Sequence, residues 1–382
     1  MSISVVRNCL NKRMISSLAP VGGNAHNLVH APTSISHRIR ALNLSFQRRE
    51  GKYLTDTVQF LKDNNTGAHF YGIHRDEQMV INRDGQEHFE RTERRYDQIK
   101  SHILKQMGLQ PNTPILQVVG DSAAFSLTGT RRAMSFLQNH LSPNSAIAYG
   151  YTGHSEPDGA KCVNAAVSAY IIEQGLTKQT IGNLVGFHTP TALDSWGCTG
   201  PELNHYLLVY GKDESSRETG TVFGDDITTS DFLSDKLIML EGGIQSFRQA
   251  CNLLLLGRPI VALAGLRGDR TRFAIAEDGK PKNYFTAPEF LQFMKDKVKR
   301  LEISGDCSSG LYDDLLITDT ILNGWLDEYL SNHLLSDPKR KDYDTKKKLL
   351  DDAWKLFKTE RLYARLHLFR CENCPLEIRS KL

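Results

Sequence analysis

The sequence predicts an α/β fold, a three-layer Rossmann-like parallel sheet with helical N- and C-terminal extensions. Two observations carry that prediction. From about Thr113 to Arg300, short apolar runs of strand length alternate with segments of helical periodicity, which is the pattern of a parallel sheet covered on both faces. Three of those runs end in loops of small residues that lead into helices, as open parallel sheets require where they bind ligands.

Residues 1–49 read as a basic, disordered tail. The first acidic residue is Glu50, preceded by seven Lys or Arg residues and many serines. That composition also suits an organelle-targeting segment, the alternative to a cytoplasmic location. Residues 50–112 read as an α/β cap or lid. In it, Tyr53–Asp63 has helical spacing, Gly67–Val80 looks strand-like, Asn82-Arg83-Asp84-Gly85 is a turn, and Glu90–Met107 is an amphipathic helix.

The nucleotide-binding domain is placed at 113–300. Strands are expected at Ile115–Val119, Ala146–Tyr149, Thr180–Gly186, Tyr206–Tyr210, Lys236–Leu240 and Ile260–Leu263. Helices are expected at Arg131–His140, Ala160–Glu173 and Ile244–Leu256, the last stopped by Gly257. Another opens at Thr286, where Pro288 and Glu289 complete a capping-box spacing. Residues 301–382 read as a helical extension. Asp337–Lys348 forms a charged break within it, and Leu350, Trp354, Phe357 and Leu362 lie on one helical face.

Bulk composition narrows the function. The 382 residues carry a formal net charge of +3, too small to indicate a nucleic-acid partner. No apolar run approaches the roughly 20 residues of a membrane span. The seven scattered cysteines form no disulfide framework. Cys371 and Cys374 form one C-x-x-C pair, but no second pair completes a zinc site and no preceding strand suggests a redox motif, so neither metal nor cofactor is expected.

The chemistry is expected at three loops: Gly120-Asp121-Ser122, Gly150-Tyr151-Thr152-Gly153-His154, and Glu241-Gly242-Gly243-Ile244-Gln245-Ser246. Glycines let backbone approach a phosphate, and the following helix N-termini offer N–H groups and a positive dipole end. Arg267 and Arg270, just past a strand end, are candidates to clamp a phosphate. None of the loops is a G-x-G-x-x-G fingerprint or a Walker A motif, which argues against dehydrogenases and P-loop NTPases.

The order of these motifs resembles the Lonely-guy, or lysine-decarboxylase-like, phosphoribohydrolases of the SLOG nucleotide-binding superfamily. The family reads S-D-A-F-I-A-L, then P-G-G-x-G-T-x-x-E, then K-P-V. This chain has Ser234-Asp235-Lys236-Leu237-Ile238-Met239-Leu240, then Glu241-Gly242-Gly243-Ile244-Gln245-Ser246-Phe247-Arg248-Gln249, then Arg258-Pro259-Ile260. The resemblance covers about half the chain. It implies a nucleotide or nucleotide-derived ligand, hydrolysis of an N-glycosidic or phosphoribosyl bond, and a homodimer. The chain departs from the pattern where it matters most. The family's catalytic glutamate falls on Gln249, its proline on Glu241, and its glycine-threonine pair on Gln245-Ser246. No counterpart of its upstream arginine stands between Gly220 and Leu233.

Glu241, at a strand end, is therefore the first candidate for the catalytic carboxylate, and Asp121 the second. The competing reading is that Glu241 caps the following helix or bonds a ribose hydroxyl. Three functions remain: a nucleotide N-glycosidase, a non-catalytic nucleotide sensor favoured by Gln249, or an interaction protein (effector) on a degenerate Rossmann scaffold.

Overall fold

A computed structural model describes residues 59–62, 69–74, 97, 100–120, 125–150, 163–176, 180–184, 205–210, 231, 233–267, 273–275, 281–303, 317–335 and 343–372. Their framework is a sheet of nine strands: β1 Gln59–Lys62, β2 His69–His74, β3 Ile115–Gly120, β4 Ala146–Gly150, β5 Thr180–Leu184, β6 His205–Tyr210, β7 Lys236–Leu240, β8 Ile260–Leu263 and β12 Phe369–Glu372. Their order is β1-β2-β6-β5-β4-β3-β7-β8-β12. Every neighbouring pair is parallel except β1 with β2. The fold is therefore the Rossmann-like parallel α/β architecture that the sequence predicts.

The winding fixes where a ligand belongs. From β3 the chain steps outward through β4, β5 and β6, then returns to lay β7 against the other side of β3 and continues to β8. The direction reverses between β3 and β7, whose register aligns Gly120 with Leu240. Helices leave in opposite directions on either side of such a reversal, and a crevice opens at the carboxyl ends of the two strands.

Alternation along the strands builds the three layers. On β7, Ile238 and Leu240 face one core, while Leu237 and Met239 face the other. The first core is closed by α1 (Leu127–His140) and α2 (Val163–Gln174), through Phe136, Leu137, Tyr170 and Ile171. The second is larger and is closed by α3 (Ile244–Leu255), α4 (Ala287–Ile303), α5 (Asp319–Asn332) and α6 (Tyr343–Thr359). Phe247 sits at its centre, with ring centroids of Phe290, Phe357 and Phe285 at 5.1, 5.9 and 6.2 Å.

A small second sheet, β9 Phe273–Ile275, β10 Pro281–Tyr284 and β11 His333–Leu334, leads into α4 and receives the end of α5. It flanks the carboxyl edge of the large sheet.

The structure amends the expected elements in several places. Residues 59–62 form a strand where helical spacing suggested a helix, and β1 and β2 extend the edge of the large sheet. The C-terminal region is not helical throughout, because β12 pairs with β8 along four residues and buries Phe369. Leu350, Trp354, Phe357 and Leu362 are buried, as their spacing predicts, but they complete the second core of the sheet itself. α6 begins at Tyr343, within the segment expected to break the helix. The basic tail, 1–49, lies outside the described residues, and no helix among those described is long and apolar enough to cross a membrane.

Candidate functional site

β7 ends in an unusual turn. Glu241 has φ 58° and Gly242 has φ 119°. Positive φ costs glycine little, but a side chain held there costs on the order of 1–3 kcal/mol and persists only where surrounding structure imposes it. The imposing contacts are visible. The Glu241 N–H donates to the Leu263 carbonyl at 3.0 Å, and the Gly242 carbonyl accepts from the Ala287 N–H at 2.7 Å. A Cβ on Gly242 would collide with the Ser246 side chain, so the positive φ and the close approach of the first turn of α3 both favour glycine here, while the Gly120 Cα lies at an ordinary contact distance of 3.5 Å.

Of the predicted phosphate cradle, Gly120, Gly242, Gly243, Gln245 and Ser246 come together at the reversal point. Gly243 is the N-cap of α3. It supplies no side-chain cap, and no acidic residue occupies the first turn, which leaves the amide end of that helix open to an anion. Gly150 ends β4, one strand away. Asp121, Ser122, Thr152, Gly153, His154 and Arg270 lie outside the described residues.

The turn drives the Glu241 side chain into the protein, where the residue is 2% exposed. Its Oε1 accepts from the Leu266 N–H at 2.6 Å, while Oε2 is buried with no partner. Burial pushes its pKa up from 4.5 to about 7, against the lowering effect of the Leu266 N–H; Glu289 raises it further, and the Gly265 and Arg267 N–H groups oppose. No basic side chain stands among these influences.

Glu241 lines a narrow crevice with room for about one water molecule. Gly265 and Arg267 line one wall. Asn283, Tyr284, Thr286 and Glu289, from β10 and the start of α4, line the other. Asn283 Oδ1 and Thr286 Oγ1 are, like Glu241 Oε2, buried without a hydrogen-bond partner. The Arg267 guanidinium has its pKa lowered by burial, an effect countered first by Glu289 and then by Tyr284 and Tyr329. Arg267 therefore sits where the sequence placed it, at a strand end, but beside a carboxylate.

The Gly265–Arg267 wall is a fixed platform. Arg132, one turn into α1, donates from Nη1 and Nη2 to the carbonyls of Gly265 and Ala264, both at 2.8 Å. The Ser126 N–H donates to the Leu266 carbonyl at 2.9 Å, Phe125 forms a β-bridge with Arg267, and Gly129 abuts Leu266 so closely that no Cβ fits. The N–H that holds Glu241 is thus itself held.

The other wall corrects a sequence expectation. Thr286 and Glu289 have capping-box spacing, yet the Thr286 hydroxyl caps nothing. Its carbonyl starts α4 by accepting from the Phe290 N–H at 3.0 Å, while both side chains line the cleft. Asn283 and Tyr284 carried no motif. The Thr286–Glu289 spacing was the one signal for this wall, and it reads equally well as a helix start.

Gln249 is placed away from the cleft. Its Nε2 donates to Asp231 Oδ1 at 3.3 Å, alongside Gln117 Nε2 at 2.9 Å, and Asn252 Nδ2 donates to Oδ2 at 2.7 Å. Asp231 is fully buried and escaped the sequence analysis. Among the described residues, no group of three or more His, Cys, Asp or Glu side chains is arranged to hold a metal ion. No family model and no curated protein matches the chain.

Proposed function

We propose that the protein binds a nucleotide or nucleotide-derived small molecule at the β3/β7 reversal point and hydrolyses its N-glycosidic or phosphoribosyl bond. Phosphate would rest on Gly120, Gly242, Gly243 and the open amide end of α3, with the first-turn residues Gln245 and Ser246 beside it. The sugar would then extend toward the crevice lined by Glu241. In that position the Glu241 carboxylate removes a proton from water as the water oxygen bonds to the anomeric carbon. The bond to the base breaks, and the departing nitrogen takes up a proton. A pKa of about 7 suits a group that must both take and release a proton near neutrality.

The observation that carries this reading is Glu241 itself. A non-glycine residue at φ 58° buries a half-satisfied carboxylate at a crevice beside the glycine turn after β7. Strain and an orphaned acceptor coincide where the winding of the sheet calls for a ligand. The sequence resemblance to the Lonely-guy enzymes points to the same ligand class, with the carboxylate moved from the position of Gln249 to that of Glu241.

A second reading, a nucleotide sensor, draws on Gln249. The position that resembles the family's catalytic glutamate bonds to Asp231 and does not line the cleft. A thermal-stability screen with nucleoside monophosphates, NAD, ADP-ribose and cyclic nucleotides separates the readings. A ligand at 100 times its Kd raises stability by about 2.7 kcal/mol. Released base or ribose phosphate, abolished in Glu241→Gln with binding retained, supports the hydrolase. An intact bound ligand supports the sensor, and no shift across the screen rejects both.

A further inference from the structure

We infer that the crevice beside Glu241 is the seat of a single internal water, bonded to Glu241 Oε2, Asn283 Oδ1 and Thr286 Oγ1. The three residues line one crevice, and each of these oxygens is buried without a protein hydrogen-bond partner. Glu241 is 2% exposed and Thr286 6% exposed, so bulk water does not satisfy them. The space has room for about one water molecule, and three polar partners are the usual number for an internal water. Buried oxygens left unpaired are costly, and one water bonded to all three removes that cost.

The crevice keeps its width because backbone bonds around it fix the two walls. The Ala287 N–H donates to the Gly242 carbonyl and the Phe285 N–H to the Leu334 carbonyl, both at 2.7 Å. Tyr329 Oη donates to the Thr286 carbonyl at 3.4 Å. Closing the space would strain these bonds, so the three oxygens reach a shared water more readily than they reach new protein partners.

The hydrogen-bond inventory selects water over other small occupants. Oε1 accepts from the Leu266 N–H at 2.6 Å, so the proton of the neutral Glu241 side chain belongs on Oε2, facing the crevice. With Glu241 ionised, the water donates to Oε2 and to Asn283 Oδ1 and accepts from the Thr286 hydroxyl. With Glu241 protonated, it accepts from Oε2 and still donates to Asn283 Oδ1. A cation suits only the first state, and the Arg267 guanidinium already brings positive charge to the same crevice. The other titratable groups that face Glu241 are Glu289 of α4 and Tyr284 of β10. Tyr329 of α5 acts on Arg267, and Glu289 acts on His333 of β11. None of these side chains bonds to Oε2, so the water carries the proton that Glu241 gains or loses.

The water site stands apart from the nucleotide reading, but its role in the reaction rests on that reading. On the hydrolytic reading this water is the nucleophile. Its oxygen bonds to the anomeric carbon as Oε2 takes its proton, the bond to the base nitrogen breaks, and the proton ends on that nitrogen. Asn283 and Thr286 are then positioning residues, which hold the water against Glu241.

Crystal structures of the full chain at pH 5 and pH 8, fine enough to show ordered water, test the site. The expected result is one water about 2.7–3.0 Å from all three oxygens at both pH values. The water is lost in Asn283→Leu, and its occupancy falls in Thr286→Val, which keeps the shape of the wall. No density, or a water bonded to only one of the three oxygens, overturns the inference. So does density that takes up Rb⁺ in a soak, which marks a cation site. Assays with nucleoside monophosphates test the role: a kcat about tenfold lower in Asn283→Leu, with KM unchanged, upholds the water as nucleophile, and an unchanged kcat overturns that role. The water in place with no turnover of any nucleotide upholds the site and rejects the hydrolytic reading.

Discussion

Two buried acids on either side of α3 have opposite settings. Asp231 is sealed in the core, and each of its carboxylate oxygens accepts from side-chain amides of Gln117, Gln249 or Asn252. Glu241 is almost as buried, but it sits on a strained backbone with one oxygen held by Leu266 N–H and the other unpaired. A satisfied buried charge joins strands and helices into one unit. A half-satisfied one on a strained turn is poor for stability, and that is the pattern of a residue kept for a ligand. The Asp231 network ties β3 to α3, and so fixes the helix at whose N-terminus the proposed phosphate site lies.

The largest expected effect tests the Asp231 half of the contrast. Asp231→Ala leaves three amide side chains without their acceptor, and the loss should be about 3 kcal/mol or more in urea denaturation. A loss below about 1 kcal/mol would mean that the amides find other partners and that the network does not organise α3.

The Glu241 half is tested by the pH dependence of stability. Its pKa is raised on folding from 4.5 to about 7, so between those values the folded protein holds a proton that the unfolded chain releases. Stability therefore falls as pH rises from about 4.5 to about 7 and levels off above. Glu241→Gln removes that slope. The variant should match the parent at pH 4 and exceed it by up to about 3 kcal/mol at pH 8, an upper bound because the new amide nitrogen inherits the orphan position. A variant less stable than the parent at pH 8 would put Glu241 in the same class as Asp231.

How far the sequence reveals this contrast depends on the range of the interactions. β3, β4, β7, β8 and α3 were legible because their apolar patterns and terminal glycines are local, and the loop positions of Gly120, Gly242 and Glu241 followed. Asp231 was not legible: its partners lie 114, 18 and 21 residues away, and no spacing rule links them. β9, β10 and β11 are two to four residues long, too short to show alternation, so the wall bearing Asn283 was hidden. β12 follows a run of helix and continues its apolar pattern, and only pairing with β8 reveals it as a strand.

The platform that holds Leu266 supports the Glu241 setting from α1. Gly129→Ala places a methyl 2.1 Å from the Leu266 carbonyl, against backbone that Arg132 and Ser126 already fix. The expected cost is about 2 kcal/mol, from overpacking. Because the displaced segment carries the N–H bonded to Glu241, the pH dependence described above should change in the same variant. A destabilised Gly129→Ala with an unaltered pH profile would separate the platform from the carboxylate.

The smallest effect is the sharpest, because it predicts opposite signs at two residues that look alike in sequence. Ser126 and Thr286 each precede a helix. Ser126 Oγ accepts from the Gly129 N–H at 2.9 Å, a working cap, so Ser126→Ala should cost about 1 kcal/mol. The Thr286 hydroxyl makes no such bond and lies buried against the cleft. Thr286→Val keeps its shape and removes an orphaned polar atom, so it should leave stability unchanged or raise it by about 1 kcal/mol while weakening the binding of whatever ligand the cleft takes. Parallel thermal melts of the two variants decide the matter. If both lose stability equally, Thr286 is a helix cap like Ser126, and the cleft loses one of the three acceptors that distinguish it from an ordinary crevice.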